Sequence, residues 1–219
     1  MELYLVTDEA ACLGRDFFWV VEEAVKGGVT MVQLREKALS ANAFIDKAKR
    51  LKELLAPYKV PLIINDSVEV ALACDADGIH VGQSDMPFHE LKNRFPAGRI
   101  IGISAETREN VQEAEAWNIS YLALSPLFAT PSKMDTGNPW GMNGISWAKR
   151  NSRHPLLVIG GLSRHNTREA ILNGADGIAV ISAICSSPSP YEAAKELGSI
   201  IAASKSGIHL PPQMEFPNK

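Results

Sequence analysis

The chain has 219 residues, 46% of them hydrophobic and 21% charged, with a formal net charge of −3. That is enough for one domain with a real core, and the charge balance argues against a nucleic-acid partner, which would select a basic excess. No apolar run approaches the roughly 20 residues that span a bilayer, so no membrane partner is expected. Cys12, Cys74 and Cys185 are far apart and form no Cys-x-x-Cys pair, which reads as a reduced, cytoplasmic protein. The opening residues have no basic leader region and read as a strand instead.

In chain order, β-branched apolar runs alternate with helix-period stretches. A strand over 3–7 precedes a helix over 17–26, with Asp16 placed to cap its start and Gly27-Gly28 past its end. A strand over 29–35 leads to a helix over 41–55, and one over 61–64 to a short helix over 68–73 capped by Ser67. Strands over 78–81 and 100–104 precede helices over 87–94 and 106–117. After a strand over 121–125 comes a long loop, then a helix over 145–150. Strands over 156–160 and 177–181 precede helices over 166–173 and 191–203, with Ser163 or Asn166 as the cap of the former and Gly174 beyond its end.

Strand–helix alternation means parallel β-structure. Eight such units fit a single closed (β/α)₈ TIM barrel of the α/β class. An open doubly wound sheet is the competitor, but it would use mainly the strand ends near its switch point. Here polar residues stand at the C-terminal ends of almost every strand. The barrel domain is predicted over 1–204, with 205–219 as a proline-bearing C-terminal tail.

Alternation along the second strand puts Val32 and Leu34 on one face and Gln33, Arg35 and Lys37 on the other. The outer face of a barrel packs on helices, so the polar set points inward or to the mouth. Two cations there need a counter-anion: a phosphate ligand, or carboxylates of the barrel itself. Asp66 and Asp85 follow the third and fourth strands. Each alone reads as a helix cap, Asp66 together with Ser67; beside a polyanion they also suit Mg²⁺, which takes one or two carboxylates plus phosphate oxygens and water. His80 could serve as an acid or base, or as a wall residue donating a hydrogen bond; with no other His at the same rim, the wall role is the favoured reading.

The loop from Ser125 through Thr130, Ser132, Lys133 and Asp135 to Gly141 and Gly144 is long for a compact barrel and reads as a lid. Gly160-Gly161 after the seventh strand and Ser182 after the eighth lie where barrels often hold a phosphate on backbone N–H groups; glycines needed only for turns would look the same.

These segments resemble the thiamine phosphate synthase family, collinearly from Leu3 to about Ala203. The shared motifs are Gln-Leu-Arg-x-Lys at 33–37, Asn-Asp at 65–66, Gly-x-His-Val-Gly-Gln-x-Asp at 78–85, Gly-x-Ser-Ala at 102–105, Phe-x-Thr-x-Ser-Lys-x-Asp at 128–135, Ile-Gly-Gly at 159–161 and Gly-Ala-Asp-Gly-x-x-Val-Ile-Ser at 174–182. The resemblance implies a transferase that joins a hydroxymethylpyrimidine pyrophosphate to a thiazole phosphate. Gln33 would bind the aminopyrimidine. Arg35, Lys37, Asn65, Ser104 and Lys133 would hold the pyrophosphate, and Asp66 and Asp85 the Mg²⁺. Thr130, Ser132, Gly161, Ile181 and Ser182 would hold the thiazole phosphate. Arg35, Lys37, Ser104 and Lys133 would act on the leaving charge. The implied partners are these small molecules, and a homo-oligomer stays open. The chain departs from the family at Ser125, usually Gly, at Ala129, usually Pro, and over 138–143.

Three other readings compete. A thiazole tautomerase of the same superfamily would lack the paired aspartates and carry a His near Ser125. A non-catalytic thiamine-phosphate-binding module would keep the pocket without turnover. A phosphosugar isomerase would need a proton-transfer group, and the nearest, Glu36, is turned away from the interior by strand alternation.

Overall fold

The computed structural model describes residues 2–129 and 138–207. Its eight described strands are β1 (Leu3–Val6), β2 (Met31–Leu34), β3 (Leu62–Asn65), β4 (Gly78–Val81), β5 (Ile100–Ala105), β6 (Tyr121–Leu124), β7 (Leu156–Ile159) and β8 (Gly177–Val180). All pair in parallel in sequence order, and β8 returns to β1, with Tyr4 opposite Ala179, to close the barrel. The helices around it are α1 (Phe17–Lys26), α2 (Ala41–Leu55), α3 (Val68–Ala73), α4 (Phe88–Arg94), α5 (Arg108–Ala114), α6 (Gly141–Asn151), α7 (Thr167–Leu172), α8 (Ser182–Cys185) and α9 (Pro190–Ser206).

The alternation of each strand sorts its side chains into two apolar clusters. Tyr4, Val6, Met31, Ile63, Tyr121, Ala123, Leu157 and Ala179 fill the inside of the barrel. Leu3, Leu5, Val32, Leu34, Leu62 and Ile64 join the larger cluster under the helices. Val32 and Leu34 therefore point outward and Gln33 inward. Because parallel strands of a barrel are covered by helices outside and filled inside, both faces are dry and the strands read as continuous apolar runs.

The helix starts follow local chemistry. Asp16 accepts from Trp19 N–H at 2.7 Å, and Ser67 accepts from Val70 N–H at 3.3 Å. Thr107 and Asn110 form a reciprocal capping box, which starts α5 later than periodicity predicts. Asn166 stands at the N-cap of α7, but its side chain serves the preceding loop, accepting from Ser163 N–H at 2.8 Å and donating to Gly161 O at 2.9 Å.

Further differences from expectation concern α6, α8 and α9. α6 begins at Gly141, so Gly141 and Gly144 belong to a helix and not to the lid. Glycine and asparagine are poor helix formers, but tertiary contacts override them here: the Trp140 indole donates to Ala105 O at 3.0 Å, and a Cβ at Gly144 would sit 2.8 Å from Trp140 Cβ. α8 is too short to show a period. α9 runs three residues further than periodicity suggests, to Ser206, and ends at Gly207 with φ 70°.

Candidate active site

The C-terminal ends of the strands open into one cavity of about 310 Å³. Its lining includes Gln33, Arg35, Lys37, Asn65, Asp66, Asp85, Ser104, Gly161, Ile181 and Ser182, so these expected site residues are brought together. Thr130, Ser132 and Lys133 lie outside the described residues, as does the rest of the 130–137 stretch of the lid. In strand order, β2–β5 supply the charged side and β7–β8 the glycine-rich side of the same mouth.

The charged side is built around Asp66. This residue directly follows β3 and takes the left-handed conformation at φ 63°, where Asp is tolerated better than most residues. Its Oδ2 accepts from Lys37 Nζ at 2.9 Å and from Asn65 Nδ2 at 2.5 Å. Lys37 thus has an internal carboxylate partner; its side chain is 58% exposed and Asp66 26%, so the pair sits at the rim and contributes little stability by itself. Asp85 accepts from Gly82 N–H at 2.7 Å and closes the turn after β4.

Neither aspartate is a helix cap: Ser67 caps α3, and Pro87 stands at the N-cap position of α4. Burial first, then the adjoining Asp66 carboxyl and its charge, push the Asp85 carboxyl above its ordinary value; Gly82 N–H and Lys37 work the other way. Two carboxyl groups this close are a hard-oxygen pair short of positive charge. Among the described residues no group of three or more His, Cys, Asp or Glu side chains could hold a metal. Two carboxylates are few ligands, but they suit the chemistry of Mg²⁺, an ion that completes its shell with water and phosphate oxygens.

The glycine-rich side is shaped by backbone conformation. Gly160 and Gly161 have φ 109° and 67°, values that L side chains rarely adopt. A Cβ on Gly161 would also come within 3.0 Å of Phe128 Cβ. Asn166 ties the Gly161–Ser163 turn to α7, and Ile181 and Ser182 begin α8.

Sequence reasoning missed the floor. Tyr4 and Tyr121 are fully buried on the inner face, their hydroxyls 2.9 Å apart. Gln33, only 3% exposed, donates to Tyr4. His80 bridges Tyr121 Oη and Ser104 Oγ, both at 2.9 Å, the wall role expected of it. Alternation from Ala123 backward would have turned Tyr121 inward, and Gly102 on the adjoining strand was the second signal. A Cβ at Gly102 would overlap the phenol end of the Tyr121 side chain.

Glu36 turns outward as expected and pairs with Lys47 at 2.5 Å, beneath α2. It cannot serve as the acid or base of an isomerase in this mouth.

A closed α/β barrel with its polar residues gathered at the C-terminal mouth has the layout of a barrel enzyme. Residues 3–184 match the family model described as thiamine monophosphate synthase. The thiamine-phosphate synthase of Albidiferax ferrireducens is 48% identical over 203 residues, covering 93% of both chains, and that of Vibrio campbellii is 44% identical, covering 89% of this chain and 95% of its own. The thiamine phosphate pyrophosphorylase structure from Pyrococcus furiosus superimposes with TM-score 0.85 at 32% identity, over 93% of this chain and 96% of that one. The chain belongs to the thiamine monophosphate synthase family, and it is a transferase of thiamine phosphate synthesis. A 3-hexulose-6-phosphate synthase, at 18% identity and TM-score 0.68 over 92% of this chain and 100% of its own, shares the fold alone. No helix among the described residues is long and apolar enough to cross a membrane.

Proposed function

We propose that this mouth condenses a hydroxymethylpyrimidine pyrophosphate with a thiazole phosphate, giving thiamine phosphate and pyrophosphate, with each substrate held by one side. The observation that carries the assignment is the coexistence, in one cavity, of the Lys37–Asp66–Asp85 cluster and the Gly160-Gly161 turn facing the start of α8. The first suits a metal-bridged diphosphate, the second a monophosphate held by backbone N–H groups.

In this reading Gln33 seats the pyrimidine on the cavity floor. Arg35, Lys37, Asn65 and Ser104 hold the pyrophosphate, and Lys133 is assigned to the same group. Gly161, Ile181 and Ser182 hold the thiazole phosphate, with Thr130 and Ser132. Asp66 and Asp85 would hold Mg²⁺, which when bound would supply a dication against the charge of the diphosphate. The C–O bond between the pyrimidine methylene and the pyrophosphate breaks, and its electron pair leaves with the pyrophosphate. The aminopyrimidine ring delocalises the resulting cation, and the thiazole nitrogen lone pair forms the new C–N bond. No nucleophile and no proton at the reacting carbon are asked of the protein. Its residues stabilise developing negative charge and align the two reactants. Losing one donor of the first kind costs about 10²–10³ in rate, and alignment supplies much of the remainder.

Separate substrate titrations test the division of the mouth. Asn166→Ala releases the Gly161–Ser163 turn, so affinity for the thiazole phosphate should fall about tenfold, the loss of a net hydrogen bond or two, while Mg²⁺–pyrophosphate affinity holds. Lys37→Ala should do the reverse. Equal loss of both ligands in both variants would contradict a two-sided mouth.

A further inference from the structure

Five buried polar side chains cross the cavity floor in one hydrogen-bonded chain. Gln33 Nε2 donates to Tyr4 Oη at 2.7 Å. Tyr4 Oη lies 2.9 Å from Tyr121 Oη, which lies 2.9 Å from His80 Nδ1, and His80 Nε2 is 2.9 Å from Ser104 Oγ. The five residues come from β2, β1, β6, β4 and β5, so the chain spans the barrel. Burial is the largest influence on both phenols and holds each above its ordinary value. Both stay protonated, and each has one proton to give.

That inventory sets a direction. With Gln33 donating into Tyr4, the Tyr4 proton has Tyr121 Oη as its acceptor. The Tyr121 proton then goes to His80 Nδ1, which selects the Nε2–H tautomer, and Nε2–H donates to Ser104 Oγ. The Ser104 proton is left for the cavity, which Ser104 lines. With the opposite polarity, Ser104 would donate to His80 Nε2 and offer the cavity only a lone pair.

We infer that Tyr4 and Tyr121 are positioning residues, a relay that links the orientation of the Gln33 amide to the direction in which the Ser104 hydroxyl donates. The inference rests on the condensation proposed above and deepens it. A Gln33 whose Nε2 is committed to Tyr4 keeps Oε1 as an acceptor, the partner an exocyclic amino group requires. A bound aminopyrimidine therefore favours the amide orientation that starts the chain, and the far end aims the Ser104 proton at a leaving pyrophosphate oxygen. Neither tyrosine touches the reacting atoms in this scheme.

Two measurements test the relay. Nitrogen-15 NMR of the imidazoles should find His80 as the Nε2–H tautomer in the wild type. It should find the Nδ1–H tautomer in Gln33→Glu, because a carboxylate only accepts and reverses every bond. In steady-state kinetics Tyr121→Phe should lower kcat about tenfold with KM changed far less, and Ser104→Ala about a hundredfold, within the range for a lost charge-stabilising donor. The double variant should fall no further than Ser104→Ala alone, since both act through one hydroxyl. Tyr4→Phe, which leaves the Tyr121–His80 contact in place, should show the same lack of multiplication and substitutes if Tyr121→Phe does not fold. An Nδ1–H His80 in the wild type, or effects that multiply in the double variant, would overturn the relay. A wild type that makes no thiamine phosphate would overturn the parent reading instead, and the NMR arm separates the two failures.

Discussion

Individual residues of the mouth show function set against stability. Asp85 is held above its ordinary value by its burial first, and then by the second carboxyl that adjoins it. A raised acid disfavours the fold once pH exceeds its ordinary range, and that penalty grows until pH passes the raised value. Asp85→Asn keeps an oxygen for Gly82 N–H and removes the charge. The variant should melt at a higher temperature than the wild type near neutral pH while losing most of its activity, and the difference in Tm should vanish as pH falls towards the carboxylate range. Calorimetry across pH reads the first effect and a product assay the second. For the same reason, metal affinity should weaken on acidification, as Asp85 takes up a proton.

Gly102 makes the opposite kind of demand. It leaves the space that the Tyr121 ring occupies, and a methyl group there should cost about 1–3 kcal/mol of stability through overpacking. Gly102→Ala should therefore lower the urea midpoint and, by displacing Tyr121, lower kcat. The Gln-Leu-Arg-x-Lys, Asn-Asp and Gly-x-His motifs made the charged rim legible in the sequence, because alternation decides which residues face in. Tyr4 and Tyr121 were not singled out, since an aromatic in an apolar run looks like any core residue until its hydroxyl has a partner.

Among the elements, the strands were the easiest to read, since a short run of β-branched residues between turns suits little but a buried strand. Helix limits were harder wherever a side chain made an unexpected bond. Asn166 fills the cap position of α7 but spends its amide on the Gly161–Ser163 turn. α6 starts inside a glycine-bearing stretch, because Trp140 and Ala105 hold it there. Elements are also pinned to one another by charge. Asp75, just past α3, has its carboxyl drawn down to about 2 by hydrogen bonds from Lys52 of α2 and then from Arg99 ahead of β5. A depressed acid contributes stability above its ordinary value and loses it as pH falls through the depressed one. Carbon-13 NMR should place the Asp75 titration near 2, and Lys52→Met should return it towards the ordinary carboxylate range.

For the whole molecule, the closed order of β1 to β8 explains how residues scattered between Gln33 and Ser182 meet in one cavity. The barrel class was legible because strand ends along nearly the whole chain carry polar residues, which only closure brings to one mouth. The interior packing that supports the mouth was less so: which aromatics meet inside the barrel depends on closure between strands far apart in sequence, as with Tyr4 and Tyr121, whose hydroxyls lie 2.9 Å apart. Closure also places a two-carboxylate rim across from a glycine turn, and the proposed condensation needs both to act in one reaction.

The most direct test is a product assay on purified protein supplied with the hydroxymethylpyrimidine pyrophosphate and the thiazole phosphate, in Mg²⁺ or in EDTA, beside a folded Asp66→Ala, Asp85→Ala double variant. Thiamine phosphate and pyrophosphate should form in equal amounts with Mg²⁺, and almost none should form in EDTA or from the variant. Folded wild type that binds thiamine phosphate but forms none from the two substrates, or a double variant as active as the wild type, would contradict the proposed condensation.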